Sequence, residues 1–519
     1  MARVTRALIS VSDKTDDVAF AKGLAALDVE IVSTGGTADV LSRAGLSIKR
    51  VEEFTGFQEI LEGRVKTLHP KIHGGILAKR GNPKHLAQVG AGELIDLVAV
   101  NLYPFAQTIA RPGVTLVEAV EQIDIGGVTL LRAAAKNFAH VGVVCDPRWY
   151  PAILDELRAH GGALPEARRR AMAMEAFRAT ADYDAHITGY LQSLDGAHGA
   201  ATTDGLPDAL HLSLAKAQGV RYGENPHQQG AFYRWADGPA WGLASLRQLH
   251  GKELSYNNVL DLDAAWRAVC DFAEPAVCVV KHASPCGLAC DAGQLEAYTR
   301  AWACDPLSAF GGVIGVNRPL EPATAEAIVQ EFVEVVVAPS VTPKALAVLQ
   351  AKKALRVIEL PTTLYPAGAS TLELRSVLGG CLAQAADRSD PIQSRVVTKR
   401  PPTDREREAL TFAWRAVKHV KSNAVVIAHD RTTVGIGSGQ PSRVDAVAAA
   451  VRKAGDRARG GALASEAFFP WPDGVETAAK AGVTAIIQPG GSMRDPEVIT
   501  AADAAGLAMI FTGVRHFKH

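Results

Sequence analysis

The string KHASPCG at 281–287 carries the side chains best suited to proton transfer. It follows the apolar run Val277–Val280, so Lys281 and His282 stand at the end of a predicted strand. A neutral imidazole accepts a proton near neutral pH, and a neighbouring ammonium stabilises a developing negative charge. A single histidine is usually structural, but this pair before a Pro-Cys-Gly turn favours an acid/base centre.

The same string permits a second interpretation, a zinc-dependent nucleobase deaminase. Such enzymes carry H-x-E followed further along by P-C-x-x-C. Here Pro285 and Cys286 are followed by Cys290, one residue too far along, and Ser284 stands where the glutamate is required. Zinc needs correctly spaced ligands as well as the acidic proton shuttle. We therefore expect no catalytic metal.

A second polar string, RYGENPHQ at 221–228, precedes this centre in the chain. The guanidinium of Arg221 can pair with a phosphate through two hydrogen bonds, and the ring of Tyr222 can stack on a base or hold a ribose. The alternative is a surface turn, which Gly, Asn and Pro together favour.

The first 145 residues hold three clusters where strands should end. Paired glycines let backbone N–H groups approach an anion, and a following helix adds its partial positive charge. Any one cluster is more often a simple helix start, but three at successive strand ends favour a phosphorylated ligand. The clusters are Ser10-Val-Ser12-Asp-Lys14, Ser33-Thr34-Gly35-Gly36-Thr37 and Arg64-Val-Lys66-Thr67-Leu-His69.

Further along, a phenol, a carboxylate and a lysine form a candidate acid/base set. Asn101 and Tyr103 follow a predicted strand, Asp124 precedes the Gly126–Gly127 pair, and Lys136 lies in the helical stretch after it. Converging near an anion site, such groups can move protons. The alternatives are a strand-capping tyrosine and a solvated helix lysine.

The pattern of elements places these clusters. Apolar runs at Ala7–Val11, Val29–Val32, Leu97–Val100 and Val141–Val144 alternate with amphipathic stretches. This alternation predicts a parallel sheet covered by helices, which binds ligands at the carboxyl ends of its strands. Pro165–Leu194 predicts one long helix packed back on this domain.

Small and polar stretches suggest the domain boundaries. GAHGAATTDGLP at 196–207 is the best linker candidate, and PTTLYPAGAS at 361–370 marks a second break. We predict a domain at 1–195, a linker at 196–207, and two C-terminal lobes at 208–365 and 366–519. The lobes share only an apolar strand before a glycine-containing turn, too little to establish a repeat.

Composition excludes several classes of protein. The 519 residues include 55 Lys plus Arg and 55 Asp plus Glu, so no basic excess indicates nucleic acid. No run of 18 apolar residues suggests a membrane span, and the first residues lack the pattern of a signal peptide. Seven scattered cysteines suit reduced thiols in the cytoplasm.

Several of these strings together resemble one family. SVSDK, VSTGGT, GRVKTLHP, NLYPF, EQIDIGGVTLLRAAAKN, RYGENPHQ and KHASPCG are similar to the bifunctional purine enzymes that combine aminoimidazole-carboxamide ribonucleotide (AICAR) formyltransferase with inosine monophosphate (IMP) cyclohydrolase. The resemblance runs from Ser10 to the C-terminus. It implies an α/β protein with a methylglyoxal-synthase-like N-terminal domain and a transformylase of two cytidine-deaminase-like lobes. It also implies a cytoplasmic homodimer with the transformylase sites at the subunit interface.

For ring closure, the resemblance implies that Lys136 is the main proton donor and acceptor, with Tyr103 and Asp124 beside it. Lys66 and Thr67 would hold the formyl oxygen. The remaining residues would bind the phosphate and ribose or line the nucleotide site: Ser12, Lys14, Ser33, Thr34, Gly35, Gly36, Thr37, Arg64, Asn101 and Gly126.

For formyl transfer from 10-formyltetrahydrofolate, the resemblance implies that His282 is the base and Lys281 the electrostatic partner. Nucleotide contacts would come from Arg221, Tyr222, Gly311, Glu334, Asn423, Arg443, Phe468 and Arg515, and folate contacts from Val444, Asp473, Ser492 and Met493. Glu334 departs from the aspartate of some members, which changes the reach of that carboxylate. Arg515 would require an ordered C-terminal segment.

Two other classes remain in view at this level. A non-enzymatic nucleotide-binding regulator would need the phosphate clusters but neither the Lys281–His282 pair nor Lys136. A metal-dependent deaminase is disfavoured by its ligand spacing. The sequence favours the bifunctional enzyme.

Overall fold

The structure is a computed structural model, and it describes residues 3–195, 206, 209–236, 240–361, 372–387 and 394–519. The chain separates into two compact units, Met1–Leu212 and Ser213–His519, which are described one by one. In the described residues, no helix combines the length and the apolar character that a membrane crossing requires.

Unit 1 is built on a parallel five-stranded sheet in the order β3-β2-β1-β4-β5. The four predicted runs are all strands, which confirms the parallel-sheet prediction, and β3 adds one that the sequence pattern did not indicate. The strands are β1 (Arg6–Val11), β2 (Glu30–Ser33), β3 (Ile48–Arg50), β4 (Leu97–Asn101) and β5 (Gly142–Val144).

Ten helices surround this sheet in the described residues. Their bounds are α1 (Asp17–Ala25), α2 (Gly35–Arg43), α3 (Val51–Thr55), α4 (Pro70–Leu77), α5 (Pro83–Val89), α6 (Phe105–Ile109), α7 (Leu116–Glu121), α8 (Gly126–Lys136), α9 (Tyr150–Ala159) and α10 (Glu166–Asp195). The long helix predicted over 165–194 is α10. It packs on α8 and β5 through buried Met172, Ala173 and Ala176, as expected.

Unit 2 contains a 12-stranded mixed sheet in the order β16-β21-β20-β19-β17-β18-β10-β9-β11-β12-β13-β8, and two separate hairpins, β6–β7 and β14–β15. The strands are β6 (Leu214–Gly219), β7 (Ala231–Trp235), β8 (Arg247–His250), β9 (Ala276–Lys281), β10 (Ser284–Cys290), β11 (Gly312–Val316), β12 (Val333–Ala338), β13 (Arg356–Glu359), β14 (Leu372–Val377), β15 (Gly380–Ala385), β16 (Arg395–Val396), β17 (Val425–His429), β18 (Thr432–Gly437), β19 (Ala462–Ser465), β20 (Ala485–Gln488) and β21 (Ala508–Phe511).

Helices cover both faces of this sheet. They are α11 (Tyr256–Cys270), α12 (Gln294–Cys304), α13 (Pro306–Ala309), α14 (Pro322–Ile328), α15 (Pro343–Leu349), α16 (Asp404–Val417), α17 (Arg443–Ala454), α18 (Asp473–Lys480) and α19 (Asp495–Ala504). On one face α11 and α16 share a single apolar core. On the other face each half of the sheet has its own core.

The two halves of this sheet repeat one another. Each half runs strand, helix, hairpin, helix, strand, helix, strand, helix, strand, and the halves meet where β10 pairs antiparallel with β18. The repeat also has a local signal in the sequence: the string AWRAV stands at 265–269 in α11 and again at 413–417 in α16. The likeness between the lobes is therefore stronger than the sequence reading allowed.

Packing details recur in both copies. A Cβ on Gly287 would collide with the carbonyl oxygen of Ala301, and one on Gly435 would collide with that of Ala450, so the helix after each hairpin rests directly on glycine. Two equivalent residues also meet: the carboxylate of Asp271 lies 2.8 Å from Nε2 of His419. These contacts establish which positions of the two halves correspond.

Two of the expected domain boundaries lie largely outside the residues that the structure describes. Apart from Leu206, the predicted linker at 196–207 lies outside the described residues, and so does the break expected at 361–370 except for Pro361. The division into lobes at 365 and 366 stays a prediction.

Candidate functional sites

Unit 1 has a cavity of about 670 Å³ at the carboxyl ends of its strands. It opens beside β1 and β4, the neighbouring strands whose connections leave in opposite directions, which is where open parallel sheets bind ligands. Of the residues proposed for ring closure, the cavity is lined by Ser12, Lys14, Thr34, Gly35, Gly36, Thr37, Arg64, Lys66, Thr67, Asn101, Tyr103, Asp124 and Gly126.

The cavity is built to hold an anion. The N-termini of α2 and α8 begin at its wall, where their unpaired N–H groups and partial positive charge favour a phosphate. Lys14 adds a full charge, and its Nζ lies 2.7 Å from Oγ1 of Thr37. Burial lowers the pKa of this lysine, while Asp17 and Asp13 oppose the shift.

Asn101 shapes the first loop of the site. Its Oδ1 accepts the backbone N–H of Ser12 at 2.6 Å and that of Asp13 at 2.8 Å, and its Nδ2 donates to the carbonyl of Asp13 at 2.9 Å. The end of β4 therefore fixes the loop after β1. This role was not foreseen, since Asn101 was expected to contact the nucleotide.

Asp124 is the buried titratable group of the cavity. Burial raises the pKa of its carboxyl, and hydrogen bonds from the backbone of Gly127 and Tyr103 offset part of that shift. The backbone N–H of Asp124 donates to the hydroxyl of Tyr183 at 2.8 Å, and that hydroxyl donates to Gln122 at 2.7 Å. Tyr183 comes from α10, and no local sequence signal points to it.

Lys66 and Thr67 lie between the two helix N-termini. The ammonium of Lys66 is 3.7 Å from where a Cβ of Gly35 would stand, and it also lies 3.6 Å from Glu59. The hydroxyl of Thr67 would be 2.9 Å from a Cβ on Gly126, so glycine there lets the hydroxyl reach the start of α8.

Two expected residues do not line this cavity. Ser33 is fully buried and donates to the carbonyl of Ile9 at 2.6 Å, so its hydroxyl holds β2 to β1 rather than facing a ligand. Lys136 is exposed at the last residue of α8, whereas the cavity meets the first. Ten residues of helix place them about 15 Å apart. The expectation that Lys136 lies beside Tyr103 and Asp124 in the same chain is not met.

In unit 2, strand direction brings the predicted transformylase residues to one edge of the sheet, which we call the upper edge. β9, β18, β19, β20 and β21 end there, and β11, β12, β13 and β17 begin there. The residues at or next to these strand ends are Lys281, His282, Gly311, Glu334, Asn423, Arg443, Val444, Phe468, Asp473, Ser492, Met493 and Arg515.

The tight turn between β9 and β10 presents Lys281 and His282. Lys281 pairs with Ser284 across the turn, and its Nζ donates to the carbonyl of Phe310 at 2.6 Å, next to Gly311. The side chain of His282 is exposed. The two side chains thus lie at the surface of the upper edge and outside the packed core.

A buried arginine that the sequence reading missed lies in the first half. Burial lowers the pKa of Arg356, the charge of Arg221 adds to that shift, and Glu334 opposes it from 3.7 Å. Asn258 donates to Glu334 at 2.9 Å. Arg221 lies over the ring of Tyr222 at 5.3 Å. The guanidinium groups of Arg221 and Arg356 are therefore close enough for their charges to interact. Two such groups together suit the binding of a phosphate.

In the second half, Glu466 fixes two predicted residues. Its side chain is fully buried and pairs with both terminal nitrogens of Arg443, and its Oε1 accepts the backbone N–H of Ala424 at 2.9 Å. Arg443 also donates to Oδ1 of Asn423 at 2.7 Å. Its Nε is buried without a hydrogen-bond partner. Glu466 itself was not foreseen.

The loops expected to contact the folate lie on neighbouring parallel strands. Asp473 begins α18 after β19, and Ser492 and Met493 follow β20. Arg494, which the sequence reading missed, lies over the ring of Trp471 at 3.4 Å. Aromatic and guanidinium planes of this kind suit a flat heterocycle with a negatively charged tail.

The last residues are ordered, as the role of Arg515 requires. The backbone of His516 donates to the carbonyl of Glu466 at 3.0 Å, and the backbone of Ser422 donates to Lys518 at 2.8 Å. Arg515 itself is exposed and lies over the ring of Phe517 at 4.3 Å. The tail therefore holds Arg515 at the upper edge while leaving its guanidinium accessible.

The deaminase interpretation conflicts with the geometry of β10. Cys286 and Cys290 both lie in this strand, four residues apart. At the usual rise of a strand their Cα atoms are about 13 Å apart, so they cannot share one ion. Burial also raises the pKa of each thiol to about 12. Within the residues that the structure covers, no three His, Cys, Asp or Glu side chains form a metal-ligating group.

Fold and sites define a two-unit α/β protein. One unit has a polar cavity at the carboxyl ends of a parallel sheet, and the other presents a Lys–His pair on a duplicated mixed sheet. A family model described as the AICARFT/IMPCHase bienzyme matches residues 134–453, and one described as an MGS-like domain matches residues 17–129. The chain belongs to the AICARFT/IMPCHase bienzyme family. It transfers a formyl group to AICAR and closes the ring to IMP in purine biosynthesis.

One solved structure with a similar sequence is titled "Crystal structure of ForH". It is 36% identical over 38% of this chain and 98% of its own, with a TM-score of 0.34. A TM-score of this size does not indicate that the two proteins share a fold. The formyltransferase family implies a folate co-substrate and a nucleotide substrate.

Proposed function

We propose that the two reactions use two separate centres, ring closure in the cavity of unit 1 and formyl transfer at the upper edge of unit 2. The observation that carries this proposal is the separation of the candidate groups. Asp124 and Lys66 line a cavity made only of residues before 128, and Lys281 and His282 lie in a compact unit that begins at Ser213.

Ring closure joins the carboxamide nitrogen to the formyl carbon of the same molecule and then releases water. The substrate tethers both groups, so the protein must hold a reactive rotamer and move protons. The helix N-termini and Lys14 take the phosphate, and Lys66 with Thr67 stabilises the oxygen that becomes negative. Asp124, whose pKa is raised by burial, and Tyr103 transfer the protons.

This proposal differs from the earlier expectation in one residue. Lys136 was to be the main proton donor, but within the chain it stands at the far end of α8 from the cavity. The lysine that lies in the cavity is Lys66. We therefore assign the lysine role in ring closure to Lys66.

Formyl transfer forms a bond between the amine of AICAR and the formyl carbon of 10-formyltetrahydrofolate and breaks the bond from that carbon to the folate nitrogen. The amine is a weak nucleophile because the carboxamide withdraws its electrons. His282 accepts its proton as it attacks, and Lys281 stabilises the oxyanion or protonates the leaving folate nitrogen. Arg221 and Arg356 hold the phosphate, and the loops after β19 and β20 hold the folate.

The proposal includes a cytoplasmic homodimer whose transformylase sites lie at the subunit interface. Exposed apolar side chains around the upper edge support it, because Leu307 is 89% exposed and Met493 is 100% exposed in the single chain. All seven cysteines are free, which suits a reducing compartment. Light scattering after size exclusion tests the dimer, and a monomer at working concentration contradicts it.

The experiment that tests the two-centre proposal is a crossover of activities. His282→Ala should abolish formyl transfer and leave cyclisation of supplied formyl-AICAR unchanged. Asp124→Asn should do the reverse, with transformylase activity retained. Both variants are checked for folding by circular dichroism. If both folded variants lost both activities, the two centres would not be separate.

A further inference from the structure

The carboxylate of Asp261 holds the turn that presents the Lys–His pair. Asp261 lies on α11, and its Oδ1 accepts the backbone N–H of Ala283 at 2.6 Å. His282 also lowers the pKa of this carboxyl, against the larger raising effect of burial. The turn is therefore anchored through Ala283 to a side chain of the helix beneath it.

That turn has an unfavourable backbone. His282 has φ 54° and Ala283 has φ 57°, so two successive residues other than glycine are left-handed. In that region the Cβ of a residue other than glycine approaches the following carbonyl oxygen, so each such residue is disfavoured compared with the right-handed region. Since the turn is only two residues long, a relaxed backbone would redirect the His282 ring and the end of the Lys281 strand together. The hydrogen bond from Ala283 to Asp261 offsets that cost.

The second half of the sheet supplies an internal comparison. Counting back five residues from the tryptophan of each AWRAV string gives Asp261 in α11 and Ala409 in α16. Ala409 is buried beneath the equivalent hairpin, whose turn contains Asp430 with φ 49°. Aspartate tolerates that conformation better than most residues. The side chains of Asp430 and Arg431 in this turn pair instead with Arg405 and Glu408 of α16. The fold therefore makes this hairpin without a carboxylate at the position of Asp261, so Asp261 is not a requirement of the fold.

We infer that Asp261 is a positioning residue of the transformylase centre, which fixes the left-handed turn and with it the direction of His282 and Lys281. The inference rests on the proposed roles of those two residues. It also explains why the carboxylate is present in one half of the repeat only, where the turn carries the Lys–His pair. Asp261 acts on the turn and makes no contact with substrate in this proposal.

The test measures steady-state formyl transfer and, in the same preparations, cyclisation of supplied formyl-AICAR. Asp261→Ala should lower the transformylase kcat by about 10- to 100-fold, as expected when reacting groups are misplaced by about 1 Å. The KM for AICAR should change by less than that, and cyclisation should be unchanged. Asp261→Asn keeps an oxygen acceptor for the Ala283 N–H and should lose only a few-fold.

A second-site variant separates positioning from general stability. Glycine enters the left-handed region without steric cost, so Ala283→Gly in the Asp261→Ala background should recover about tenfold of the lost kcat. Asp263→Asn is the matched control on the same helix: its ion pair with Arg267, at 2.9 Å, lies away from the turn. This variant should keep wild-type kcat.

Each outcome decides the matter. Wild-type kcat in Asp261→Ala, with His282→Ala inactive in the same assay, overturns the inference and leaves the proposed centre intact. An active His282→Ala overturns the proposed centre itself. Full loss in Asp261→Asn, or no recovery with Ala283→Gly, shows that Asp261 does not act through the turn. If Asp261→Ala does not fold, Asp261→Glu is measured in its place, because the longer side chain moves the carboxylate away from the backbone N–H of Ala283. The kcat of this variant should fall, and an unchanged kcat overturns the inference.

Discussion

Replacing Glu466 by glutamine should destabilise unit 2 and impair only formyl transfer. The side chain of Glu466 is fully buried, and Arg443 is 5% exposed. In Glu466→Gln the new amide group faces a terminal nitrogen of Arg443, so two donors oppose each other and the guanidinium loses its counter-charge. Breaking a buried pair in this way costs about 3–5 kcal/mol. The hydrogen bond from Ala424 can persist through the remaining oxygen.

The assay is urea unfolding followed by tryptophan fluorescence. Six of the seven tryptophans lie in unit 2, so the signal reports mainly on that unit. Glu408→Gln is the matched control, because Glu408 is 50% exposed and pairs with Arg431 at 3.0 Å on the surface. Such a pair contributes about 0–1 kcal/mol.

The repeat also offers a variant that restores stability without activity. The positions of Glu466 and Arg443 correspond to Asn317 and Gln294 in the first half, where neutral side chains are buried and hydrogen-bonded. Glu466→Asn combined with Arg443→Gln should therefore unfold closer to the wild type than Glu466→Gln does, yet remain impaired in formyl transfer. A Glu466→Gln protein within 1 kcal/mol of wild type, with unchanged KM for AICAR, would refute this reasoning.

Three further outcomes follow from the same contacts. Asp124→Asn should lower cyclisation by about 10²–10⁴-fold. Folding raises the pKa of Asp124, so the stability of the wild type falls as pH rises from the unfolded-state pKa to the folded-state pKa of this carboxyl. The melting temperature of Asp124→Asn should not show this fall with pH. If the variant kept the same pH dependence as the wild type, the burial argument would be contradicted. Lys66→Ala should slow cyclisation by about 10²-fold or more while Lys136→Ala stays within a few-fold, and the opposite ranking would return the lysine role to Lys136. For Asp271, burial raises the pKa, but hydrogen bonds and charges from His419 and Lys418 outweigh it and hold the pKa well below its usual range. Unit 2 should therefore lose stability as pH falls below about 4, and Asp271→Asn should flatten that acid limb in urea titrations at several pH values; a persistent limb assigns it to other carboxylates.

The sequence was sufficient where chemistry is local. The strand ends carrying Ser12, Thr34 and Asn101 were recognisable because apolar runs stop at polar, turn-forming clusters, and topology then brings them to one cavity. The Lys281–His282 pair was recognisable for the same reason. In each case a short segment contains both the element and the functional group.

The sequence was insufficient where helices or distant strands supply the group. Lys136 shares a continuous string with Asp124, yet the helix between them carries it away from the cavity. Tyr183, Arg356 and Glu466 reach their sites through tertiary packing, and nothing in their neighbours in sequence marks them. The repeat was available in the AWRAV strings, and aligning on it would have singled out Asp261 against Ala409.

The most direct test of two independent centres on one chain is a mixing experiment. Asp124→Asn and His282→Ala are each expected to fail in converting AICAR and 10-formyltetrahydrofolate to IMP. Mixed in equal amounts, they should form IMP after a lag, because the first protein makes the formylated intermediate and the second closes its ring. A mixture of folded variants that forms no IMP, although each retains its single activity, would contradict release of the intermediate between separate centres. Loss of both single activities in either variant would contradict the centres themselves.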